Sequence, residues 1–169
     1  MKLFYFGSVC SQKKFNETVE KSRVKPSASA QNFEYALIKG FDEVQDLQLT
    51  AVSAESIAMF PRGNRLFLKK RRDYLTENIS TKIVGCINLP FLKQIGHAVG
   101  VYRELVSWLN INKDDSSKAV LVYGIYPAVV KKIMRVCNKY SCKIFCLITD
   151  IPKTMFTYTK MDFLKKNIR

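Results

Sequence analysis

Apolar residues in this chain fall into short runs separated by polar, basic stretches, and the spacing inside the runs switches between two periods. Residues 2–8 form an apolar run closed by Gly7, which predicts a buried first strand ending at a glycine turn. Residues 10–29 are polar and basic without a period and read as a loop. A loop of that length inside a compact domain points to function. Ser27 or Ser29 then caps a helix running to about Val44, with Ala30, Phe33, Leu37, Ile38 and Phe41 on one face. Residues 47–54 alternate as Leu47, Leu49, Ala51, so the opening is a βαβ unit.

The middle is more polar. Residues 56–78 contain Pro61-Arg-Gly-Asn64 and the run Lys69-Lys-Arg-Arg72, with a short strand expected near residues 66–68 at the sheet edge. Residues 81–87 are β-branched and strand-like. Asn88-Leu-Pro90 closes them and opens a helix to about Asn110. That helix is apolar on two faces, one with Leu92, Ile95, Val99, Tyr102, Val106 and Leu109, the other with Phe91, Ala98, Val101, Leu105 and Trp108. Such a helix is expected to be largely buried. Residues 119–125 form a nearly continuous apolar run, as in a central parallel strand. Tyr126-Pro127 begins the next helix, with the proline in the first turn. Its expected inward residues are Tyr126, Val130, Ile133, Met134 and Cys137. Residues 143–149 are a further strand, Asp150-Ile-Pro152 ends it, and residues 161–168 are weakly helical. The alternation predicts one α/β domain over residues 1–169, a Rossmann-like, mostly parallel sheet with helices on both faces.

Charge narrows the partners. Lys and Arg number 28 against 14 Asp and Glu, a formal net charge of +14. That balance favours an anionic partner: a phosphate-bearing ligand, an acidic membrane surface or nucleic acid. No helix-turn-helix, zinc-finger or RNP pattern is present, and aromatics do not interleave with the basic runs, so nucleic acid ranks last. Lys69, Lys70, Arg71 and Arg72 are the candidate contact to an anionic surface. The N-terminus is too quickly polar for a signal peptide, and residues 83–112 contain Lys93, His97, Arg103 and Glu104. A cytoplasmic protein, at most peripheral on a membrane, is expected. Five cysteines, mostly inside apolar runs, read as reduced core residues.

Ligands in such sheets bind outside the carboxyl ends of the strands, which singles out Gly7 and Ser8, Asn88, Tyr123 to Tyr126, Thr149 and Asp150. Asp150 could accept a proton or hold a sugar hydroxyl there. No GxGxxG or P-loop pattern is present, which argues against ordinary dinucleotide or ATP binding. His97 is the only histidine and reads as a packed helix residue; no metal triad and no CxxC pair exist, so neither metal nor cofactor is expected.

Five segments together resemble a known family. Lys2-Leu-Phe-Tyr-Phe-Gly7, Lys25-Pro-Ser-Ala-Ser-Ala-Gln-Asn-Phe33, Asn88-Leu-Pro-Phe-Leu-Lys-Gln-Ile95, Val120-Leu-Val-Tyr-Gly-Ile-Tyr-Pro127 and Lys143-Ile-Phe-Cys-Leu-Ile-Thr-Asp-Ile-Pro152 resemble, in order and spacing, the N-terminal domain of bacterial family 4 glycosyltransferases of the GT-B fold, from the exopolysaccharide and capsule branch. The resemblance implies metal-independent transfer of a sugar from a nucleotide sugar to a glycan or polyprenyl-phosphate-linked acceptor, at the inner membrane face. It implies that this domain supplies the acceptor side, with Gly7, Ser8, Gln31, Asn88, Tyr123, Tyr126 and Thr149 along the cleft and Asp150 as the candidate catalytic carboxylate. Where many relatives are glycine-rich this chain has Ala28-Ser-Ala-Gln31, and Thr149 stands where many have histidine, so no histidine role carries over. The donor-binding second domain of such enzymes would begin where this chain stops. The expectation is therefore an acceptor-side half, inactive alone. The alternative is a non-enzymatic basic partner or membrane-anchoring subunit of a separate catalytic chain.

Overall fold

A computed structural model describes residues 1–124 and 127–149. In chain order the elements are β1 (Lys2–Gly7), α1 (Gln12–Lys21), α2 (Ala28–Asp42), β2 (Gln48–Ala54), β3 (Phe67–Leu68), β4 (Arg71–Tyr74), β5 (Ser80–Val84), β6 (Cys86–Ile87), α3 (Leu92–Ile111), β7 (Lys118–Tyr123), α4 (Pro127–Lys139) and β8 (Lys143–Leu147). The main sheet has six strands in the order β4-β5-β2-β1-β7-β8, parallel except for β4 at one edge. The fold is α/β, as the alternation of strand and helix periods predicts.

Two cores lie on opposite faces of this sheet. On one face Phe4, Phe6, Val52, Val84, Val120 and Val122 pack against α3 and α4 through Val101, Leu105, Trp108, Ile133 and Cys137. On the other, Tyr5, Ala51 and Tyr123 pack against Ile38 of α2, with Leu75 and Ile79 closing the side. Covering both faces explains why β1 and β7 read as unbroken apolar runs. Chain order reverses at β1: β2 and β5 follow on one side, β7 and β8 on the other. Such a reversal opens a crevice at the carboxyl ends of the strands.

Several expectations change. The loop expected over residues 10–29 holds a helix, α1, whose N-cap Ser11 accepts the Lys14 N–H. Only Phe15 and Thr18 of α1 are buried, so the apolar signal was too sparse to show a period. Ser27 caps α2, as expected; of the expected apolar face Ile38 is buried and Leu37 and Phe41 pack partly buried against the second core, but Gln31 and Glu34 are buried beside them and Phe33 is exposed. The short strand near residue 67 pairs with β6 in a separate two-stranded ribbon, and the edge of the main sheet is β4, built from the basic run itself. Gly85 divides the segment after residue 80 into β5 and β6; a Cβ there would stand 2.7 Å from the Lys70 nitrogen and 2.8 Å from the Leu68 oxygen. Of the two apolar faces of α3, only the one through Ala98, Val101, Leu105 and Trp108, joined by Leu109, is buried; Leu92, Ile95 and Tyr102 are exposed. Met134 of α4 is exposed too, and Val129 and Val136 face inward instead. Tyr126, Asp150 and the expected helix at residues 161–168 lie outside the described residues.

Candidate functional site

A cavity of about 450 Å³ opens beyond the carboxyl end of β2 between the N-terminal turns of α3 and α4. Its lining is mostly apolar: Val24, Pro26, Ala54, Ile57, Met59 and Val129 contribute. Four titratable side chains also line it, Lys25, Glu55, Lys93 and His97. They come from three segments, the stretch before α2, the end of β2 and the first turns of α3, and the sheet brings them together.

His97 is buried, and its Nε2 has no hydrogen-bond partner among the described residues. Burial, reinforced by the nearby Lys93 ammonium, lowers its pKa to about 4. The imidazole is therefore neutral near pH 7 and can exchange a hydrogen bond with an uncharged hydroxyl. Lys93 lies one turn earlier on α3, where burial lowers its pKa and its Nζ donates to the Ile57 carbonyl. Glu55 follows directly on β2; its oxygens accept from Arg65 Nη1 at 2.9 Å and Arg71 Nη1 at 3.0 Å. The carboxylate is thus neutralised by two guanidiniums, one from the loop after β2 and one from β4.

Several residues expected to face a ligand are used inside the fold. At the end of β1, Glu34 of α2 is fully buried and accepts the Tyr5 hydroxyl at 2.5 Å, the Ser8 N–H at 2.7 Å and the Ser8 hydroxyl. Burial raises the Glu34 pKa, and these hydrogen bonds oppose the rise. Gly7 lets the carboxylate approach: a Cβ there would overlap Glu34 Oε2 and stand 2.5 Å from the Tyr5 hydroxyl. Gln31, one turn earlier on α2, clasps Cys10, accepting its N–H at 3.3 Å and donating to its carbonyl at 2.5 Å. Asn88 is fully buried and donates to the carbonyls of Ala58 at 2.9 Å and Arg65 at 2.8 Å, tying down the loop that carries Arg65.

The remaining expected residues are scattered. Tyr123 at the end of β7 stacks on Phe33, ring centroids 5.6 Å apart, and its hydroxyl is 3.4 Å from the hydroxyl of Thr149, which is exposed. Neither lines the main cavity. The run Lys69, Lys70, Arg71, Arg72 does not present a single charged face: Lys70 pairs with Glu104 at 2.6 Å and Arg71 turns inward to Glu55, leaving Lys69 and Arg72 exposed. Glu55 and Lys93 belong to no chemical motif in the sequence, and His97 is packed on α3 as expected while also reaching the cavity. The one signal that could have marked them is position, Glu55 directly after a strand and Lys93 and His97 in the opening turns of the next crossover helix.

Among the described residues no group of His, Cys, Asp and Glu could hold a metal ion, and no helix is long and apolar enough to cross a membrane. No protein-family model, curated protein or solved structure matches this chain.

Proposed function

We propose that this chain is the acceptor-side domain of an enzyme that transfers a sugar from a nucleotide sugar to a lipid-linked or glycan acceptor, working with a separate donor-binding domain. The observation that carries the reading is the cavity at the carboxyl end of the sheet. It combines an apolar wall with a neutral histidine and two lysines, Lys93 inside and Lys25 at the rim. Apolar surface suits a lipid chain, the lysines suit its phosphate, and a neutral imidazole suits a hydroxyl. The ordered segments that resemble bacterial family 4 glycosyltransferases support the reaction class.

A second reading, a non-enzymatic partner of a catalytic chain, is favoured by a specific observation. Of the described carboxylates at the carboxyl end of the sheet, Glu55 is held by two arginines and Glu34 by Tyr5 and Ser8. Neither is free to act as a base.

The test uses the imidazole of His97 as a reporter, since it is the only histidine in the chain. Titration with farnesyl phosphate should shift its proton resonances. UDP-glucose, UDP-galactose and GDP-mannose should bind weakly or not at all to this chain alone. Tight nucleotide-sugar binding with turnover would show a complete donor site here and overturn the division of labour; an unmoved His97 signal with every probe would overturn the acceptor site.

A further inference from the structure

The corner where β6 passes into α3 carries an unusual concentration of exposed apolar side chains. Phe67 and Ile87, paired across the β3–β6 ribbon, are 65% and 41% exposed. Phe91 is 80% exposed and Ile95, one helical turn later, 59%. Asn88 joins these pieces: its carbonyl accepts the Phe60 N–H at 2.9 Å, and its own N–H donates to Leu66 at 2.7 Å. The backbone of Phe60 and the ribbon that carries Phe67 and Ile87 are therefore tied to one buried asparagine, three residues before Phe91, and Phe60 is exposed as well. Phe91 has φ 62°, the left-handed region that non-glycine residues rarely adopt, and this strained backbone carries a ring that faces solvent.

Charge singles out the same corner. Residues 56–70 and 84–103, which build it, contain no Asp or Glu. They carry Arg62, Arg65, Lys69, Lys70, Lys93 and Arg103. Arg65 and Lys70 are held by Glu55 and Glu104, while Arg62 and Lys69 are exposed. A chain of net charge +14 thus presents exposed apolar side chains with cations beside them and no carboxylate in the same segments.

We propose that this corner docks on a bilayer rich in anionic lipid, with Phe60, Phe67, Ile87, Phe91 and Ile95 entering the interface and Arg62 and Lys69 on the headgroups. Apolar insertion and headgroup attraction act together in such binding, and neither alone is strong. Exposed aromatic rings could also stack on the bases of single-stranded nucleic acid. Ile87, Leu92 and Ile95 have no such use, whereas hydrocarbon accepts them as readily as the rings, so the bilayer is the better match. The proposal stands apart from the sugar-transfer reading, since a binding subunit could dock the same way.

Flotation of the full chain with vesicles tests it. The chain should float with phosphatidylcholine vesicles containing phosphatidylglycerol and not with phosphatidylcholine alone. Phe91→Ser with Ile95→Ser should lower the partition at least about tenfold, the effect expected from losing two inserted apolar side chains. Arg62→Glu with Lys69→Glu should lower it and flatten its salt dependence. Lys131→Glu with Lys139→Glu, the same charge change on α4, should have a much smaller effect. Unchanged far-ultraviolet dichroism and Trp108 emission keep folding separate from docking. Equal losses from both charge-reversal pairs with none from the serine pair would mean that net charge alone drives binding, and would overturn the proposal. So would the absence of vesicle binding, with or without binding to a single-stranded oligonucleotide.

Discussion

Substituting Gly7 by alanine tests whether the β1 loop is closed by Glu34. The new Cβ would overlap Glu34 Oε2 and stand 2.5 Å from the Tyr5 hydroxyl, so the carboxylate must leave its place. That place lets it accept the Tyr5 hydroxyl, the Ser8 N–H and the Ser8 hydroxyl, all without contact with solvent at Glu34. A buried donor or acceptor left without its partner costs about 1–3 kcal/mol, so losing two of these hydrogen bonds costs about 2–6 kcal/mol. For a domain of this size each kcal/mol moves Tm by about 2–4 °C, giving a drop of about 4–24 °C. Trp108 is the only tryptophan, buried with its ring 5.6 Å from Phe4, so its emission follows global unfolding. A double-mutant cycle isolates the cause. In a Glu34→Ala background, where the obstructed carboxylate is gone, the Gly7→Ala cost should fall to what the remaining approach to the Tyr5 ring and hydroxyl imposes. An undiminished cost in that background, or a Gly7→Ala change within about 0.5 kcal/mol of zero in the parent, would refute the lock.

Three further expectations follow from the titratable groups. His97 should titrate near pH 4 by nuclear magnetic resonance, below an unfolded value of about 6.5, because burial disfavours its charged form. Since the unfolded chain binds the proton more tightly, stability should fall as pH drops from about 6.5 to about 4, by up to about 3 kcal/mol in all, and His97→Phe should remove that slope; titration near 6.5 in the folded chain contradicts the burial. Glu55→Gln removes the ion pairs of Arg65 and Arg71 beside the cavity, leaving Arg71 only the more distant Asp73, and should lower the urea midpoint by the equivalent of about 2–4 kcal/mol, less than a fully buried pair because both arginines keep some solvent contact; a loss under about 1 kcal/mol contradicts it. Thiol labelling of the native chain at pH 8 should reach exposed Cys146 first and spare buried Cys137 and Cys142 and also Cys10, whose pKa is pushed up to about 12 by burial and by the neighbouring Asp73 and Glu55 carboxylates; fast labelling of Cys10 contradicts that placement.

What the chain reveals in advance depends on whether a residue's neighbours belong to its own element. The strands were legible because a sheet covered on both faces needs apolar residues at every position, as in β1 and β7. Pro127 and Ser27 marked helix starts because first-turn chemistry is local. The inward face of α2 was legible only in part, through Leu37, Ile38 and Phe41, because two of its three buried residues are Gln31 and Glu34, which serve the backbone and side chains of the β1 loop. A count of apolar spacing cannot see a helix face that is buried in order to form hydrogen bonds. The inward turn of Arg71 within the basic run was hidden for the same reason: strand alternation points it away from its exposed neighbours Tyr74 and Arg72, toward a glutamate sixteen residues earlier in the chain.

This bears directly on where the site lies. Polar residues at the carboxyl ends of strands either hold a ligand or close the loops that leave those strands, and sequence position looks alike in the two cases. Gly7, Ser8, Gln31 and Asn88 close loops, as their short hydrogen bonds inside the fold require. With those loops fixed, Glu55, Lys93 and His97 are held at the cavity wall by β2 and α3. Of these only His97 keeps a buried polar atom with no partner among the described residues. On the proposed reading, a ligand hydroxyl that supplied that partner would offset the cost of burying the nitrogen, which makes this histidine the point in the cavity wall where such a ligand gains most.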